Sequence, residues 1–185
     1  MTDVASVEGR ERVRLFCALT LSDDVLDALE RWQRSDLRSD GRALGRDQLH
    51  LTLAFLGHRP VDELGPISEA LEDAAAEAEG PVVLAPCRYR ETRSVGMLVL
   101  DDEDGRAGAL AVGLHERLER LGVYRREARA WLPHVTVLRF RRPPRLRPQL
   151  PELRPFSPSG AAVYHSLLRP GGAQYYVLHF VALGG

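Results

Sequence analysis

Two stretches of the chain, QLHLTLAFLG at 48–57 and LPHVTVLRF at 132–140, each contain the quartet His-x-Thr-x inside an alternating apolar run. The quartets begin at His50 and His134. Residues two positions apart in a β-strand lie on the same face, about 6.5–7 Å from each other. Each stretch therefore predicts a strand with a histidine and a threonine on one face and apolar side chains on the other.

The repeated quartet also indicates a chemistry. One imidazole can take a proton while a second gives one, and hydroxyl groups can stabilise the oxygens of a phosphate. The two histidines, with Thr52 and Thr136, form a set that can break a phosphoester without a metal ion. The quartets are separated by close to half of the 185 residues, which suggests two similar half-structures that share one cleft.

A second interpretation stays open on the residues alone. A single His-x-Thr is weak evidence, because a histidine on a strand commonly makes an ordinary hydrogen bond within the sheet. Two core strands with polar inner faces could contain both quartets by coincidence. Each buried histidine or threonine would then need a polar partner of its own. The same apolar pattern around both quartets favours the shared cleft.

A family resemblance rests on four stretches in chain order. They are VRLFCALTL at 13–21, LHLTLAFLG at 49–57, PHVTVLR at 133–139 and YHSLLRPGGAQYYVL at 164–178. Together they resemble the two-histidine phosphoesterases, in particular the RNA 2′,3′-cyclic phosphodiesterases, also called the 2′-5′ RNA ligase family. The stretches follow the family's order and span almost the whole chain.

The pattern of elements and the family resemblance each predict part of the fold. Strands and helices mix without regular alternation, which predicts the α+β class. The resemblance implies two pseudo-symmetric lobes, each an antiparallel sheet with outer helices, around a central groove that contains both quartets. Residues 13–185 are expected to form this single bilobal domain, after a disordered leader over residues 1–12.

The resemblance further implies an activity. The chain is expected to hydrolyse RNA 2′,3′-cyclic phosphate ends to 2′-phosphates, with His50 as proton donor and His134 as proton acceptor. Reversal of the reaction would join RNA ends through a 2′-5′ bond. The alternatives are a non-catalytic nucleotide- or RNA-binding module, and a phosphodiesterase acting on small cyclic nucleotides or 2′-5′ oligonucleotides. Ala54, where the family often has lysine, is a departure that concerns substrate contacts.

Five residues are expected to contact the substrate. Thr52 and Thr136 would donate hydrogen bonds to the phosphate. Arg139 stands where the family often has arginine, but strict alternation puts it on the face opposite the second histidine unless the strand bulges. Phe16 and Tyr164 could stack on a nucleobase, although aromatic residues in strands more often lie in the core.

Positive charge is concentrated around the second quartet. All 25 basic residues are arginines, and the net charge of the chain is −1. The basic block consists of Arg125, Arg126, Arg129, Arg139, Arg141, Arg142, Arg145 and Arg147. Because the planar guanidinium group binds two phosphate oxygens at once, the block is interpreted as a landing surface for an RNA backbone. The alternative is a solvated loop in an arginine-biased protein.

Composition argues against several other classes. No run of eighteen apolar residues predicts a membrane-spanning helix, and the first residues lack the apolar segment of a secretion signal. Cys17 and Cys87 lie in apolar runs and are expected to be buried free thiols, with a disulfide between them as the alternative. Their spacing does not indicate a metal site. We expect a cytoplasmic monomer that uses neither metal nor cofactor. The family resemblance implies that its partner is RNA ending in a 2′,3′-cyclic phosphate.

Local patterns predict the order of the elements. Strands are expected at 13–20, 48–56, 82–90, 95–100, 132–140, 161–168 and 174–182. Helices are expected after a Ser22 cap, after Pro60 to about residue 79, and over 106–121, with His115 facing solvent. The connections are expected to be a polar loop at 35–47, an irregular proline-rich segment after residue 140, and a turn through Pro170, Gly171 and Gly172.

Overall fold

The computed structural model describes residues 7, 9, 11–39, 41–78, 80–170 and 172–183. In this part of the chain the strands are β1 (Arg12–Thr20), β2 (Arg42–Ala43), β3 (Leu51–Pro60), β4 (Ala85–Glu91), β5 (Val95–Asp101), β6 (His134–Arg139), β7 (Gly160–Arg169) and β8 (Gly172–Val181). The α-helices are α1 (Asp23–Asp36), α2 (Leu64–Ala76) and α3 (Arg106–Arg120). Short 3-10 turns occupy Arg46–Gln48 and Val61–Glu63.

The strands form two four-stranded antiparallel sheets. The first sheet has the order β3-β1-β7-β8, and the second has the order β2-β6-β5-β4. The first quartet lies at the start of β3, an outer strand of the first sheet, with His50 directly before its first residue. The second quartet lies on β6 of the second sheet. This arrangement confirms the predicted α+β class with two antiparallel sheets.

Each sheet draws strands from both halves of the sequence. The strand predicted to close the first half, β4, pairs with β5 in the second sheet. The last two strands return to the first sheet, where β7 pairs with β1. This return covers the edge of β1 that β3 leaves bare, and an uncovered edge would present unpaired backbone groups.

The apolar positions of both quartets are buried. Leu51, Leu53, Val135 and Val137 are each at most 2% exposed and belong to one hydrophobic cluster. Burial of each such side chain contributes about 1.5–3 kcal/mol. Burial of the apolar residues therefore determines which face of each strand lies against the core. The histidine and threonine side chains lie on the other face, directed away from this cluster.

The first quartet strand is longer than its sequence predicts. Gly57 was expected to end it, but β3 continues to Pro60. Gly57 has a φ of +69° and lies opposite Leu15, next to a register shift that leaves Leu56 without a partner. Glycine takes this conformation without steric cost, so it accommodates a bulge and the pairing resumes beyond it.

Other boundaries differ where tertiary pairing decides them. The predicted loop at 35–47 contains the end of α1 and the short strand β2, which pairs with β6 and so covers its outer edge. The helix predicted after Pro60 begins only at Leu64, because Val61–Glu63 first forms a 3-10 turn. Residue 79, where that helix was expected to end, lies outside the described residues.

Two predictions, the leader over residues 1–12 and the turn through Gly171, fall partly outside the described residues. Most of the predicted leader lies outside them, and Arg12 is already the first residue of β1. Gly171 of the predicted turn is also outside, although Arg169 and Gly172 on either side of it are paired.

The proline-rich segment between β6 and β7 has no helix or strand, as predicted, but it is anchored to the rest of the fold. Phe156 forms a bridge with Leu84. The indole Nε1 of Trp32 donates to the carbonyl oxygen of Gln149 at 2.7 Å.

Both cysteines are free, and burial raises the pKa of Cys17 to about 12, whereas Cys87 is exposed and the prediction of its burial is wrong. Among the described helices, none is both long and apolar enough to cross a membrane.

Candidate active site

Both quartets line one cleft of about 440 Å³ between the two sheets. His50, Thr52, His134 and Thr136 all contribute to its wall, which matches the shared cleft that the sequence predicts. The remaining wall residues are Arg14, Phe16, Arg42, Leu44, Gln48, Phe55, Arg139, Ser166, Leu168, Ala173 and Tyr175. No aspartate or glutamate is among the described residues of this wall, so its charged side chains are arginines and, when protonated, histidines.

The imidazole of His134 is oriented by its own backbone. Its Nδ1 lies 2.8 Å from the carbonyl oxygen of Leu132. Since a carbonyl only accepts, Nδ1 holds the hydrogen and Nε2 of a neutral ring keeps a lone pair. His50 also makes a hydrogen bond to the backbone of Gln48, again two residues upstream. Each ring thus has a hydrogen bond to the backbone two residues upstream.

The environment of His50 opposes its protonation. The pKa of His50 is lowered to about 4, chiefly by burial and also by the nearby positive charges of His134 and Arg139, while the hydrogen bond to the Gln48 carbonyl acts in the opposite direction. Aromatic rings surround the imidazole, with the centroid of Phe16 at 4.9 Å and that of Tyr175 at 5.3 Å. A charged imidazole loses hydration in such surroundings, so His50 is neutral at pH 7.

The two quartet strands bulge at equivalent positions. Between β1 and β3 the pairing passes from Thr52 to Ala54, which leaves Leu53 without a partner. Between β5 and β6 it passes from Thr136 to Leu138, which leaves Val137 without a partner. In each case the unpaired residue is the fourth of the quartet.

The bulges change which side chains reach the cleft. Beyond each bulge the alternation is reversed, so the fifth residue after each histidine returns to the histidine face. These residues are Phe55 and Arg139, and both line the cleft. Strict alternation would have put Arg139 on the opposite face, and the bulge in β6 returns it to the face of His134 and Thr136. Phe55, which is 48% exposed, was not identified from the sequence.

A buried polar side chain from a helix binds the carbonyl of each bulged residue. Nε2 of His115 lies 2.8 Å from the oxygen of Leu53. Nε2 of Gln33 donates to the oxygen of Val137 at 2.8 Å and to that of Leu44 at 3.0 Å. His115 is only 5% exposed, so the prediction that it faces solvent is wrong.

The sequence does contain a signal for these two residues. His115 lies four residues after Ala111 and three before Leu118, and Gln33 lies four after Leu29. All three apolar neighbours are buried. This spacing puts both polar residues on the inner faces of their helices, where a polar side chain needs a partner.

The two predicted stacking residues lie against each other. The rings of Phe16 and Tyr164 are parallel, with centroids 4.9 Å apart. Phe16 is 3% exposed, and the tilted ring of His50 also contacts it. Stacking of Phe16 on a nucleobase would therefore require one of its neighbours to move. Tyr164 is partly exposed, and burial raises its pKa to about 12.

The arginine block divides into paired and unpaired members. Arg126 forms ion pairs with Glu116 and Glu119 at 3.7 Å, and Arg129 pairs with Glu127 at 2.7 Å. The other members make no ion pair with any described residue, and apart from Arg139 in the cleft they are exposed on the surface. Within the described ranges, no group of three or more His, Cys, Asp or Glu side chains could hold a metal ion.

Comparison with known proteins agrees with this geometry. The model of the LigT like Phosphoesterase family matches residues 19–84, which include the first quartet. A curated relative from Thermus thermophilus, described as an RNA 2′,3′-cyclic phosphodiesterase, is 33% identical, with 94% of this chain and 91% of the relative covered. The chain belongs to the LigT-like phosphoesterase family.

Solved structures extend the similarity to the whole LigT-like fold. The crystal structure of TT0787 from Thermus thermophilus is 32% identical, has a TM-score of 0.73, and covers 93% of this chain and 98% of its own. Escherichia coli LigT, crystallised with 3′-AMP, has a TM-score of 0.77 over 95% of this chain and 100% of its own. At 24% identity, the latter supports the fold alone.

Proposed function

We propose that this LigT-like phosphoesterase hydrolyses RNA 2′,3′-cyclic phosphate ends to 2′-phosphates, as a cytoplasmic monomer and without a metal or cofactor. The observation that supports this most is the convergence of two His-Thr pairs on one cleft whose described wall contains arginines and no carboxylate. Such a wall favours an anionic substrate. The name of the Thermus relative points to the same substrate class.

The reaction begins with water attacking phosphorus in line with the P–O3′ bond. His134 accepts the proton of the water through Nε2, because its Nδ1 is engaged by the Leu132 carbonyl. His50 donates a proton to the departing 3′ oxygen. The new P–O bond forms as the P–O3′ bond breaks, and the 2′-phosphate remains. Exchange of protons with solvent then restores both imidazoles.

Thr52 and Thr136 stabilise the reacting phosphate. Each lies on the same face as its quartet histidine, so each hydroxyl can donate to a non-bridging oxygen on which charge accumulates. Arg139 adds positive charge on the same wall. The strands hold these donors in position before the substrate arrives, which lowers the reorganisation required in the transition state.

His50 must be protonated to act as donor, although its pKa is lowered to about 4. A bound phosphate anion provides the opposite charge and counteracts the effect of the nearby cations, so it raises this pKa in the complex. By microscopic reversibility, a ribose hydroxyl in place of water would allow the same site to join RNA ends through a 2′-5′ bond.

The test is incubation of the protein with an oligoribonucleotide ending in a 2′,3′-cyclic phosphate, in EDTA, with mapping of the product end. We expect a 2′-phosphate product, formed about 10²–10⁴ times more slowly by His50→Ala or His134→Ala. A 3′-phosphate product would contradict the proposed leaving group. Loss of activity in EDTA that a divalent ion restores would contradict the metal-free mechanism. Binding without turnover would identify a non-catalytic module.

A further inference from the structure

Two arginines lie side by side on the wall of the cleft. Arg42 of β2 is directly opposite Arg139 of β6 in the antiparallel pair. Directly opposite residues project from the same face with Cβ atoms about 4.5–5.5 Å apart, and like charges in this relation are destabilising. Both side chains line the cleft that contains the quartets. The fold thus accepts a repulsive pair at the site where the substrate would bind.

No described carboxylate compensates this pair. Several other arginines are neutralised within the protein; Arg46, for example, contacts three carboxylates. Neither Arg42 nor Arg139 has an ion pair with any residue in the described ranges, and neither Asp nor Glu is among the described residues of the cleft wall. An anionic ligand would satisfy both guanidinium groups.

Arg42 is also held in place by a buried amide. Its Nη1 donates to Oε1 of Gln48 at 3.3 Å, and Nε2 of Gln48 donates to the carbonyl oxygen of Ala173 at 2.6 Å. Gln48 is only 8% exposed. The amide therefore fixes Arg42 between β2 and the start of β8. An arginine ordered in advance loses less conformational entropy when it binds a ligand.

We propose that Arg42 forms a second anion subsite, which binds the phosphate on the 5′ side of the terminal ribose. This inference rests on the proposed function, in which the quartets and Arg139 hold the cyclic phosphate. Arg42 lies one strand further out, about 4.8 Å from β6, and so serves a neighbouring phosphate. The preferred substrate class is then a ribonucleotide with a 5′-phosphate group, either a terminal monoester or the phosphodiester of a longer RNA.

The test compares substrates that differ only at the 5′ position. They are cytidine 2′,3′-cyclic phosphate, its 5′-phosphorylated form, and a dinucleotide with the same cyclic end. For the wild type, kcat/KM should be higher for both substrates that contain the additional phosphate. Arg42→Ala should reduce this preference about 10- to 100-fold, the range for loss of a hydrogen bond between charged groups. Arg42→Lys should restore part of it.

The matched control is Arg88→Ala, since Arg88 is an exposed arginine of β4 outside the cleft. It removes the same charge and should leave the preference as in the wild type. An unchanged preference in Arg42→Ala would overturn the proposal. An equal loss for all three substrates would also overturn it, because Arg42 would then serve the reacting phosphate. A preference for the dinucleotide alone would identify the phosphodiester as the source.

A binding measurement separates this proposal from the proposed function. If the wild type hydrolyses none of the three substrates, the proposed function fails, and calorimetry with adenosine 2′-phosphate and adenosine 2′,5′-bisphosphate tests the subsite alone. The wild type should bind the bisphosphate more tightly, and Arg42→Ala should lose this difference. Equal affinities of the wild type for both compounds would overturn the subsite.

Discussion

The imidazole Nε2 of His115 lies 2.8 Å from the carbonyl oxygen of Leu53, the bulged residue of the first quartet. Because β3 is an outer strand, its free edge has no neighbouring strand to bind such a carbonyl. His115 supplies the missing donor from α3. In the second quartet the Val137 carbonyl accepts from the backbone N–H of Leu44 at 3.1 Å, and Gln33 of α1 adds a second donor. These two bonds stabilise the bulges that bring Phe55 and Arg139 into the cleft, although neither His115 nor Gln33 lines it.

Gln33→Met should weaken catalysis through Arg139. Methionine is close to glutamine in size but cannot donate to Val137, so the bulge loses one of its supports. We expect a higher KM for the cyclic phosphate substrate, with a smaller change in kcat. In a double-mutant cycle with Arg139→Ala, the two losses should overlap with a coupling of about 0.5–3 kcal/mol.

The matched control for that cycle is Trp32→Phe, on the same helix. It removes the indole bond to the Gln149 carbonyl, and neither Trp32 nor Gln149 lines the cleft. Its effect should add to that of Arg139→Ala. If Gln33→Met is equally additive, Gln33 supports the fold in general and does not position Arg139.

His115→Leu should destabilise the protein by about 1–3 kcal/mol, because the Leu53 carbonyl would stay buried without a donor from α3. His115→Gln keeps a donor on a side chain of similar length and should recover part of this loss. Urea denaturation of the three proteins, with equal m-values, would measure the difference. Equal stability of the leucine and glutamine variants would show that the bond contributes nothing.

The face on which each quartet lies could be predicted from the sequence because it depends on local pattern. His50 and Thr52 share a face through alternation alone, and the burial of Leu51 and Val135 follows from the same alternation. The similarity of the two runs then suggests a common cleft. Strand geometry accounts for the two faces, whereas the groove that contains both is implied by the family resemblance.

The bulges could not be predicted in this way, because they depend on partners distant in the chain. Leu53 is unpaired only in the register that β3 adopts against β1, and Val137 only in that of β6 against β5. Arg42 reaches the cleft because β2 forms on the edge of β6, which the loop-like composition of that segment does not indicate. Such long-range pairing overrides local propensity.

Replacement of either quartet histidine should abolish most turnover while the protein stays folded. His50→Ala and His134→Ala are each expected to lower kcat by about 10²–10⁴. The double variant should be little worse than either single one, because the acid and the base act in the same step. Near wild-type turnover by either single variant on a 2′,3′-cyclic phosphate would refute the two-histidine mechanism.

The pH dependence of the residual activity should assign the two roles. If His134 is the base, kcat/KM of His50→Ala should rise with pH to a plateau, because only a neutral imidazole is then required. If His50 is the acid, kcat/KM of His134→Ala should fall as the pH rises above about 4, the pKa of His50, where the donor loses its proton. The wild type needs both forms and should give a bell-shaped profile.

The opposite trends would reverse the assignment, with His50 as base and His134 as acid. Circular dichroism over the same pH range provides the control for folding. This control matters because the lowered pKa of His50 itself affects stability. The unfolded chain binds a proton as the pH falls below 6.5, whereas folded His50 does so only near 4, so stability decreases across that window.

The exposed arginines after β6 should bind RNA through its phosphates. Arg141→Ser, Arg142→Ser, Arg145→Ser and Arg147→Ser, combined in one variant, should weaken binding of an oligoribonucleotide and reduce its dependence on salt. Each phosphate contact that is lost lowers the log–log slope by about 0.7 for single-stranded RNA. The backbone of this segment should persist, because its N–H groups at Arg145 and Leu146 donate to the Glu91 carboxylate.

The arginine pair Arg126 and Arg129 provides the comparison for this surface. Both already form ion pairs with glutamates of the protein, so their replacement by serine should change the salt slope less for each charge removed. Titrations of a fluorescent oligoribonucleotide at several salt concentrations measure both slopes. Equal slopes in the wild type and the four-arginine variant would show that this segment is only a solvated loop, and would favour a small nucleotide as the substrate.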